Sequence, residues 1–255
     1  MIANYHTHTS RCHHAVGQDE EYVLAAIDGG LKILGFSDHT PYLYPDGYCS
    51  HSRMLPSQLP EYLDSIRALG QTYAGQIENQ PGVEAEYYPA LWNDTLSMLR
   101  DNGVEYMILG QHWNGNEVGH LLNMRPSDDP DRLRGYCRQV CQALETGVFS
   151  YLAHPDVICF TGSEALYEEQ MRTVCRVARQ CGIPLEINLL GIRSHRHYPS
   201  PTFWRIAGEE GCTAVLGCDA HDPVDTVDPI SEAAAEELAQ QFGLSLLSTI
   251  ELKKL

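Results

Sequence analysis

Residues 2–9 read Ile-Ala-Asn-Tyr-His-Thr-His-Thr, a short apolar run that leads directly into two histidines spaced two residues apart. The run 2–5 has the composition of a buried strand. In an extended segment the side chains of residues i and i+2 point the same way, so His6 and His8 can reach one metal ion. A lone His-x-His pair is weak evidence for a metal site, and the rest of the chain has to support it.

Short apolar runs alternate with longer helical patterns along the whole chain, which is typical of βα units around a parallel sheet. The further predicted strands are 33–37, 76–83, 106–110, 151–153, 185–188 and 214–217, and a last one at 244–249 closes or flanks the barrel. The predicted helices are 20–27, 59–73, 91–102, 131–146, 164–181, 202–210 and 232–242. The chain has 255 residues, of which 43% are hydrophobic, enough for one full-sized core. We therefore predict an α/β barrel formed by a single domain, residues 1–255.

Histidines and carboxylates follow these strands one after another. Because the carboxyl ends of parallel strands point to the same mouth of a barrel, we expect these side chains to converge there. Buried core histidines would need many separate partners at one end of the fold, which makes a metal site the better explanation. The candidate ligands are His6, His8, His14, His39, Glu84, His112, His154, Asp219 and His221.

Imidazole and carboxylate ligands suit Zn, Mn or Fe(II) better than Ca or Mg. Nine candidates are too many for one ion, so two or three divalent ions are expected, with Glu84 as the best placed bridging carboxylate. The amidohydrolase type of barrel also begins with His-x-His but commonly bridges its ions with a carboxylated lysine. Here the only candidate, Lys32, lies at the entry end of the second strand, which argues against that type.

The composition narrows the class of partner. The formal charge is −17 and the chain has only three lysines, which argues against a nucleic-acid surface. Bound metal ions can still attract an anionic substrate to an acidic protein. No run approaches a membrane span and no secretory signal peptide is recognisable. The nine cysteines, which include no Cys-x-x-Cys, are expected to be reduced thiols of a cytoplasmic protein.

Several motifs resemble those of the polymerase-and-histidinol-phosphatase (PHP) superfamily and, within it, the histidinol-phosphate phosphatases. The resemblance covers nearly the whole chain and implies a distorted (βα)7 TIM-like barrel, usually with a trinuclear metal site. The motifs are His6-Thr7-His8-Thr9, Cys12-His13-His14-Ala15, Ser37-Asp38-His39-Thr40-Pro41, Gly82-Val83-Glu84-Ala85-Glu86, Ala153-His154-Pro155-Asp156, Glu186-Ile187-Asn188 and Gly217-Cys218-Asp219-Ala220-His221.

The resemblance also implies how the ligands are shared. The three sets are His6, His8, Glu84 and Asp219; His14, His39 and His221; and Glu84, His112 and His154. The adjacent His13 is the alternative to His14, which is preferred because its spacing from His8 and the following alanine match the phosphatase pattern. Asp38 and Glu86 are expected to orient imidazoles, whereas Glu186 either does so or is a carboxylate at the edge of the core.

Phosphate requires a cation besides the metals, and arginine suits bidentate contact. By resemblance the candidates are Arg193 after the sixth strand and Arg53 in the loop after the second, each with a solvated surface arginine as the alternative. In the loop of Arg193, His195 or His197 either protonates the leaving alkoxide or lines the pocket. Gly110-Gln111-His112-Trp113 departs from the family pattern, and Gln111 and Trp113 are expected to reshape the pocket beside the third ion.

The resulting hypothesis is a metal-dependent phosphomonoesterase that acts on a small phosphorylated metabolite, with L-histidinol phosphate the leading candidate. A metal-activated hydroxide is the expected nucleophile. Asp219, His221 and Arg193 are the residues expected to be catalytic, with Arg193, Arg53 and His197 at the substrate. The alternatives are a phosphodiesterase or other phosphoesterase on the same site and a non-catalytic metal-binding protein. The sequence predicts no particular oligomeric state.

Overall fold

A computed structural model describes residues 1–255. Eight parallel strands form one curled sheet in the order of the sequence, which makes a TIM-like half-barrel. This confirms the predicted α/β fold. The strands are β1 Ala3–Asn4, β2 Ile33–His39, β3 Glu78–Ala85, β4 Tyr106–Leu109, β5 Phe149–Leu152, β6 Leu185–Asn188, β7 Thr213–Gly217 and β8 Ser245–Leu247.

The eighth strand flanks the barrel instead of closing it. β8 pairs with β7 beginning at Thr213 and Ser245, at the end of the sheet away from the mouth. At the mouth the chain beyond β1 pairs directly with the chain beyond β7 through a parallel bridge between Thr7 and Ala220. The backbone N–H of His8 donates to the carbonyl of Ala220 at 2.9 Å. Seven strand ends therefore surround the mouth, as the resemblance implies.

Helices cover the outer face of the sheet. They are α1 Asp19–Asp28, α2 Leu59–Thr72, α3 Trp92–Asp101, α4 Pro130–Glu145, α5 Glu164–Gln180, α6 Leu189–Arg193, α7 Pro201–Glu209 and α8 Pro229–Gln241. The short helix α6 was not predicted; it begins directly after β6, where the Asn188 side chain accepts a hydrogen bond from Gly191 N–H. No helix combines the length and the apolar character needed to cross a bilayer.

The barrel interior below the mouth is filled by aromatic side chains. The hydroxyl of Tyr106 crosses the barrel to lie 2.9 Å from the carbonyl oxygen of Tyr5. A Cβ added at Gly35 or Gly82 would lie 2.3 Å or 2.2 Å from atoms of the Tyr106 side chain, so the crossing requires glycine at both places. Because this packing is closed, the polar side chains that follow the strands collect at the mouth.

Candidate metal centre

All nine predicted ligand residues meet at the mouth of the half-barrel. They lie on and beneath the floor of a cavity of about 500 Å³. Asp219 and His154 have positive φ values of 49° and 29°. For residues other than glycine such backbone costs about 1–3 kcal/mol and is concentrated at functional sites. Asp219 lies just beyond β7 and His154 just beyond β5, and the positive φ turns both side chains toward the cluster.

The first group of donor atoms comes from the chain beyond β1, the chain beyond β7 and the end of β3. Nε2 of His6 lies 3.1 Å from Nε2 of His8. Asp219 Oδ1 is 3.1 Å from the His8 nitrogen and 3.5 Å from the His6 nitrogen. Glu84 Oε2 is 3.6 Å and 3.7 Å from the same two nitrogens. Four donors therefore face a common point, at separations that suit ligands of a single ion.

Glu84 lies at the centre of the cluster and faces both sides of it. Its Oε1 atom is 2.8 Å from His154 Nε2 and 3.7 Å from His112 Nε2. Its Oε2 atom is 2.9 Å from His39 Nδ1. A Cβ added at Gly110 would lie 1.7 Å from Glu84 Oε1, so only glycine leaves room for this carboxylate. A carboxylate with its two oxygens toward different donor groups has the geometry of a bridge.

The outermost group contains His14, His39 and His221, whose donor atoms lie within 4.8 Å of one another. The ring of His14 donates from Nδ1 to the carbonyl of Cys12 at 2.7 Å, which leaves Nε2 as the nitrogen available to a ligand. The neighbouring His13 has a left-handed backbone (φ 68°) and does not line the cavity. The structure thus brings His14, and not His13, into the cluster.

Carboxylates behind the cluster hold three of its imidazoles. Glu186 Oε1 is 2.7 Å from His6 Nδ1, and Glu86 Oε1 is 3.2 Å from His112 Nδ1. Asp38 Oδ1 is 3.5 Å from Nδ1 of His8. Such partners fix the ring orientation and the tautomer of a metal-ligating histidine. Glu186 and Glu86 thus lie where they can orient ligating imidazoles, and Asp38 lies beside His8 without a hydrogen bond to its ring.

The carboxylates stabilise positive charge on two buried imidazoles. Burial opposes protonation of His6, but Glu186 and Asp219 outweigh it and hold the pKa of His6 well above its ordinary value. Burial also opposes protonation of His8, yet the nearby carboxylates of Asp219 and Asp38 raise the pKa of His8 to about 9. The pKa of His112 is raised as well, by Glu84 and Glu86 against the effect of burial, so positive charge is favoured on these three rings.

The side chains of His221, His39 and Glu84, next to His6 and His8, remain neutral or anionic. Burial and the positive charge of His8 lower the pKa of His221 to about 3 and hold the pKa of His39 well below its ordinary value. Burial disfavours the charged form of Glu84, but the positive charges of His112 and His6 hold its pKa well below the ordinary value. Anionic Glu84 and the neutral imidazoles of His39 and His221 have the protonation states that a metal ion requires of its ligands, whereas His6 and His8 would release their protons when a metal ion binds.

Polar atoms without partners support this conclusion. His8 Nδ1, His154 Nδ1 and Glu84 Oε2 are buried and have no hydrogen-bond partner. The short approach of Glu84 Oε2 to His39 lacks hydrogen-bond alignment. Leaving such a group unsatisfied costs about 1–3 kcal/mol. The donor set of imidazoles and carboxylates, crowded together and incompletely hydrogen-bonded, fits divalent ions that accept nitrogen and oxygen ligands.

Arg193, predicted to be catalytic and to bind phosphate, lies outside the cavity lining. Its Nε atom pairs with Asp225 at 3.1 Å and its NH1 atom with Asp228 at 3.0 Å. Its NH2 atom donates to the carbonyl of Cys218 at 3.3 Å. Two carboxylates thus neutralise the guanidinium and turn it away from the metal centre, which corrects the sequence-based expectation.

His197, predicted to contact substrate, also faces elsewhere. Its Nε2 atom donates to the carbonyl of Val157 at 2.9 Å, and the side chain lines a separate cavity of about 370 Å³. His195, the other histidine considered for this loop, is exposed and lines neither cavity. The fold of the loop after α6 therefore removes both histidines from the metal-site cavity.

Arg53 does line the metal-site cavity, but its charge is already neutralised. The buried guanidinium pairs with Glu86 at 2.6 Å and with Glu117 at 3.1 Å. It also lies 5.0 Å from the centre of the Tyr42 ring. Glu86 also contacts the imidazole of His112. Arg53 therefore affects the site indirectly, because it fixes the carboxylate of Glu86, which in turn fixes His112.

Other wall residues were not predicted from the sequence. Arg196 and Tyr198 follow α6, and Leu122 and Met124 belong to the segment between His112 and α4. All four line the cavity. They lie in irregular loops, and such loops have no sequence pattern from which a position on the cavity wall could be predicted. Trp113, expected to shape the pocket, lines it. Gln111 instead binds the backbone, accepting from Tyr87 N–H at 3.0 Å and donating to the Trp113 carbonyl at 2.6 Å.

Comparisons with known proteins agree with the fold and the cluster. A model of the PHP domain matches residues 4–189. A Deinococcus radiodurans protein named "Probable histidinol-phosphatase" is 32% identical over 244 residues, 92% of each chain. A Schizosaccharomyces pombe protein of the same name is 25% identical and covers 98% of this chain and 90% of its own.

Among solved structures, histidinol phosphate phosphatase from Lactococcus lactis, complexed with Zn, L-histidinol and phosphate, superposes with a TM-score of 0.76. It is 20% identical and covers 98% of this chain and 97% of its own, a likeness that shows the fold. The fold and the site define a metal-dependent phosphatase on a TIM-like half-barrel. The chain belongs to the PHP domain family, and within that family it is similar to the histidinol-phosphatases.

Proposed function

We propose that this protein hydrolyses the phosphate monoester of a small metabolite, with L-histidinol phosphate the leading candidate substrate. The observation that carries the proposal is the convergence of seven histidines, Glu84 and Asp219 on and beneath the floor of one cavity. The cavity volume of about 500 Å³ lies in the range of small-molecule sites. A binding site of this size favours a compact metabolite over a polymer.

We assign two or three divalent ions, Zn, Mn or Fe, to this cluster. When bound, such ions activate water and neutralise charge that develops on phosphoryl oxygens. The proposed ligand sets are His6, His8, Glu84 and Asp219; His14, His39 and His221; and Glu84, His112 and His154. Asp219 and His221, which lie two residues apart beyond β7, supply ligands to different sets, so loss of either is expected to abolish turnover.

The remaining residues of the site orient these ligands. Glu186, Glu86 and Asp38 hold the imidazoles of His6, His112 and His8. A preorganised arrangement avoids the cost of moving ligands during the reaction. Apolar groups of Leu122, Met124, Leu190 and Trp113 form part of the wall, and they suit an organic leaving group that remains in the cavity beside the metal floor.

The relatives support the substrate. The Deinococcus radiodurans relative bears the name of a histidinol-phosphatase, and the Lactococcus lactis structure holds L-histidinol and phosphate. Gln111 and Trp113 depart from the family pattern beside the third ligand set.

The test is phosphate release by metal-analysed protein from L-histidinol phosphate, beside sugar phosphates, nucleotides and a diester. Efficient turnover of L-histidinol phosphate with about two or three ions per chain supports the proposal. Efficient turnover of a different monoester would change the substrate assigned to the protein but not the type of reaction. Preference for the diester favours a phosphodiesterase. Bound metal without any hydrolysis leaves a non-catalytic metal-binding protein and overturns the proposal.

We further propose that residues 1–255 act as one domain, since one sheet carries all the ligand residues. The cytoplasmic location stays a prediction from the sequence. So does the absence of a nucleic-acid or membrane partner.

A further inference from the structure

Two arginines line the metal-site cavity, and only one of them has a free charge. They are Arg53 and Arg196. Arg53 is buried between Glu86 and Glu117, each of which forms an ion pair with it. Arg196 is exposed and forms no ion pair with any carboxylate of the chain. In a protein of net charge −17, an unpaired cation on the wall of an anion-binding cavity needs an explanation.

The contacts of Arg196 hold it in place without using up its donors. Its NH1 atom donates to the hydroxyl of Tyr198 at 2.6 Å, and the guanidinium carbon lies 5.8 Å from the centre of that ring. NH1 also approaches the sulfur of Met124 at 3.7 Å. A guanidinium has five N–H donors in a planar fork, and a neutral hydroxyl leaves its charge uncompensated. Most of the fork remains available to an oxyanion.

Tyr198 connects this arginine to the metal centre. Its ring is almost fully buried, and its centre lies 6.1 Å from the centre of the His154 ring. The loop that carries both Arg196 and Tyr198 folds tightly on α6, where Arg196 N–H donates to the Gly191 carbonyl at 2.9 Å. A Cβ added at Gly191 would lie 2.3 Å from the Tyr198 carbonyl, so this close approach requires glycine.

Arg193, the last residue of α6, lies three residues earlier and has the opposite surroundings. Asp225 and Asp228 neutralise it, and it donates to the carbonyl of Cys218, the residue before Asp219. Its contacts thus connect α6 to the chain beyond β7. Binding a phosphoryl group would require Arg193 to give up two ion pairs, whereas Arg196 gives up only solvent.

We infer that Arg196 binds the phosphoryl group of the substrate beside the metal ions, and that Arg193 instead positions the loop of Asp219. This inference rests on the proposed function, since it assigns a residue to the phosphate of that reaction. Arg196 is a substrate-binding residue that supplies two parallel N–H donors to phosphoryl oxygens, and the hydroxyl of Tyr198 holds its guanidinium at the cavity wall.

The experiment measures the dissociation constant of inorganic phosphate for the metal-loaded protein by calorimetry, with metal content determined for each sample. Arg196→Gln is expected to weaken phosphate binding by roughly 10–100-fold, the usual effect of losing charge-assisted hydrogen bonds. Arg196→Lys, which keeps the charge but loses the fork, is expected to bind with intermediate affinity. Metal content and Tm of both variants should match the wild type because the side chain is exposed.

Two further variants control the comparison. Arg138→Gln removes one exposed positive charge from α4, outside the cavity lining, and is expected to leave phosphate affinity within about 2-fold. Arg193→Gln is expected to lower Tm and, at equal metal content, to leave phosphate affinity unchanged. Wild-type affinity in Arg196→Gln, or a loss of affinity confined to Arg193→Gln, overturns the inference.

Turnover separates this inference from the proposed function. For a phosphatase, Arg196→Gln should lower kcat/KM for the ester in parallel with the loss of phosphate affinity. If the wild type binds phosphate in a manner that depends on Arg196 but hydrolyses no monoester, the proposed function fails and the inference is supported. If the ester is hydrolysed equally well by wild type and Arg196→Gln, the function stands and the inference fails.

Discussion

Oε1 of Glu84 lies 2.8 Å from Nε2 of His154, between two side chains that are almost fully buried. The other carboxylate oxygen of Glu84 faces His39 at 2.9 Å. One carboxylate thus contacts imidazoles of two proposed ligand sets. The position of Glu84 in the cluster has a direct consequence for metal content.

Glu84→Gln is expected to lower activity by about 10²–10³-fold or more, because a neutral amide cannot bridge two cations. The protein should also retain fewer ions per chain, as measured by elemental analysis after dialysis. Glu78→Gln is the matched control, because this exposed glutamate begins the same strand far from the mouth. A Glu84→Gln protein with a full complement of metal would contradict the bridging role.

Glu186→Gln tests the residues behind the ligands. Glu186 Oε1 contacts His6 Nδ1 at 2.7 Å, while Oε2 accepts from the backbone N–H of His154 at 3.0 Å. Loss of such an orienting carboxylate typically weakens metal binding by about 10–100-fold. Competition with a chelator of known affinity measures the change, with the exposed Glu237→Gln as control. Unchanged metal affinity would show that Glu186 is a carboxylate of the core with no effect on the metal ligands.

The sequence predicts the floor of the site better than its walls. The ligands lie at strand ends, so strand order alone places His39 at the end of β2 and His154 beyond β5 at one mouth. Arg193 ends α6 and Arg196 lies in the irregular loop after it, and spacing does not indicate which of them faces the cavity. That choice depends on Asp225 and Asp228, which are distant in sequence and become neighbours only when α6 and α8 pack together.

The eighth strand shows the same limit. Its apolar pattern predicts a strand at 244–249, and β8 is observed at Ser245–Leu247. Whether it closes the barrel depends on the bridge between Thr7 and Ala220, a contact between the two ends of the sheet. Long-range pairing of this kind has no signature in local sequence.

Gly110→Ala tests the space in which Glu84 lies. The added methyl group would be 1.7 Å from Glu84 Oε1, so the carboxylate has to move. We expect a loss of metal and of activity, together with destabilisation of about 1–3 kcal/mol from overpacking. Denaturant unfolding and metal analysis measure the two effects.

Gly70→Ala is the control for that substitution. Gly70 lies within α2, and its added Cβ would meet nothing closer than Asn79 Cβ at 3.7 Å. Alanine there is expected to stabilise the helix by up to about 1 kcal/mol. A Gly110→Ala protein with wild-type metal content would show that Glu84 can bind metal from another position.

Arg172→Gln is expected to change stability in a way that depends on pH. Arg172, on α5, donates to Glu209 and Glu210 of the α7 region. Hydrogen bonds from Arg172 and Arg205 lower the pKa of Glu209, and those from Arg176 and Arg172 lower the pKa of Glu210. A carboxylate whose pKa is lower in the folded state stabilises the fold above its unfolded pKa, and the effect disappears as pH falls through the folded value.

The variant should therefore melt about 1–3 °C below the wild type at pH 7, a small effect because the groups are exposed. The difference should shrink as the pH falls below about 4, where the carboxylates become protonated. Thermal unfolding of both proteins from pH 7 to pH 3.5 measures it. A Tm difference that stays constant over this range would assign the effect to packing instead of charge.

Metal removal is expected to destabilise the whole fold, because the proposed ligands follow strands from β1 to β7. Ions that bind only the folded state stabilise it by mass action, and at concentrations far above the dissociation constant the gain in Tm is on the order of 10 °C for a chain of this size. Thermal unfolding before and after treatment with a chelator measures this shift. Zn, Mn and Fe(II) should then be added back separately. The native metal is the one expected to restore both Tm and hydrolysis. If a chelated, metal-free protein kept its Tm and its activity, the cluster would be structural polar packing and the proposed reaction would lose its basis.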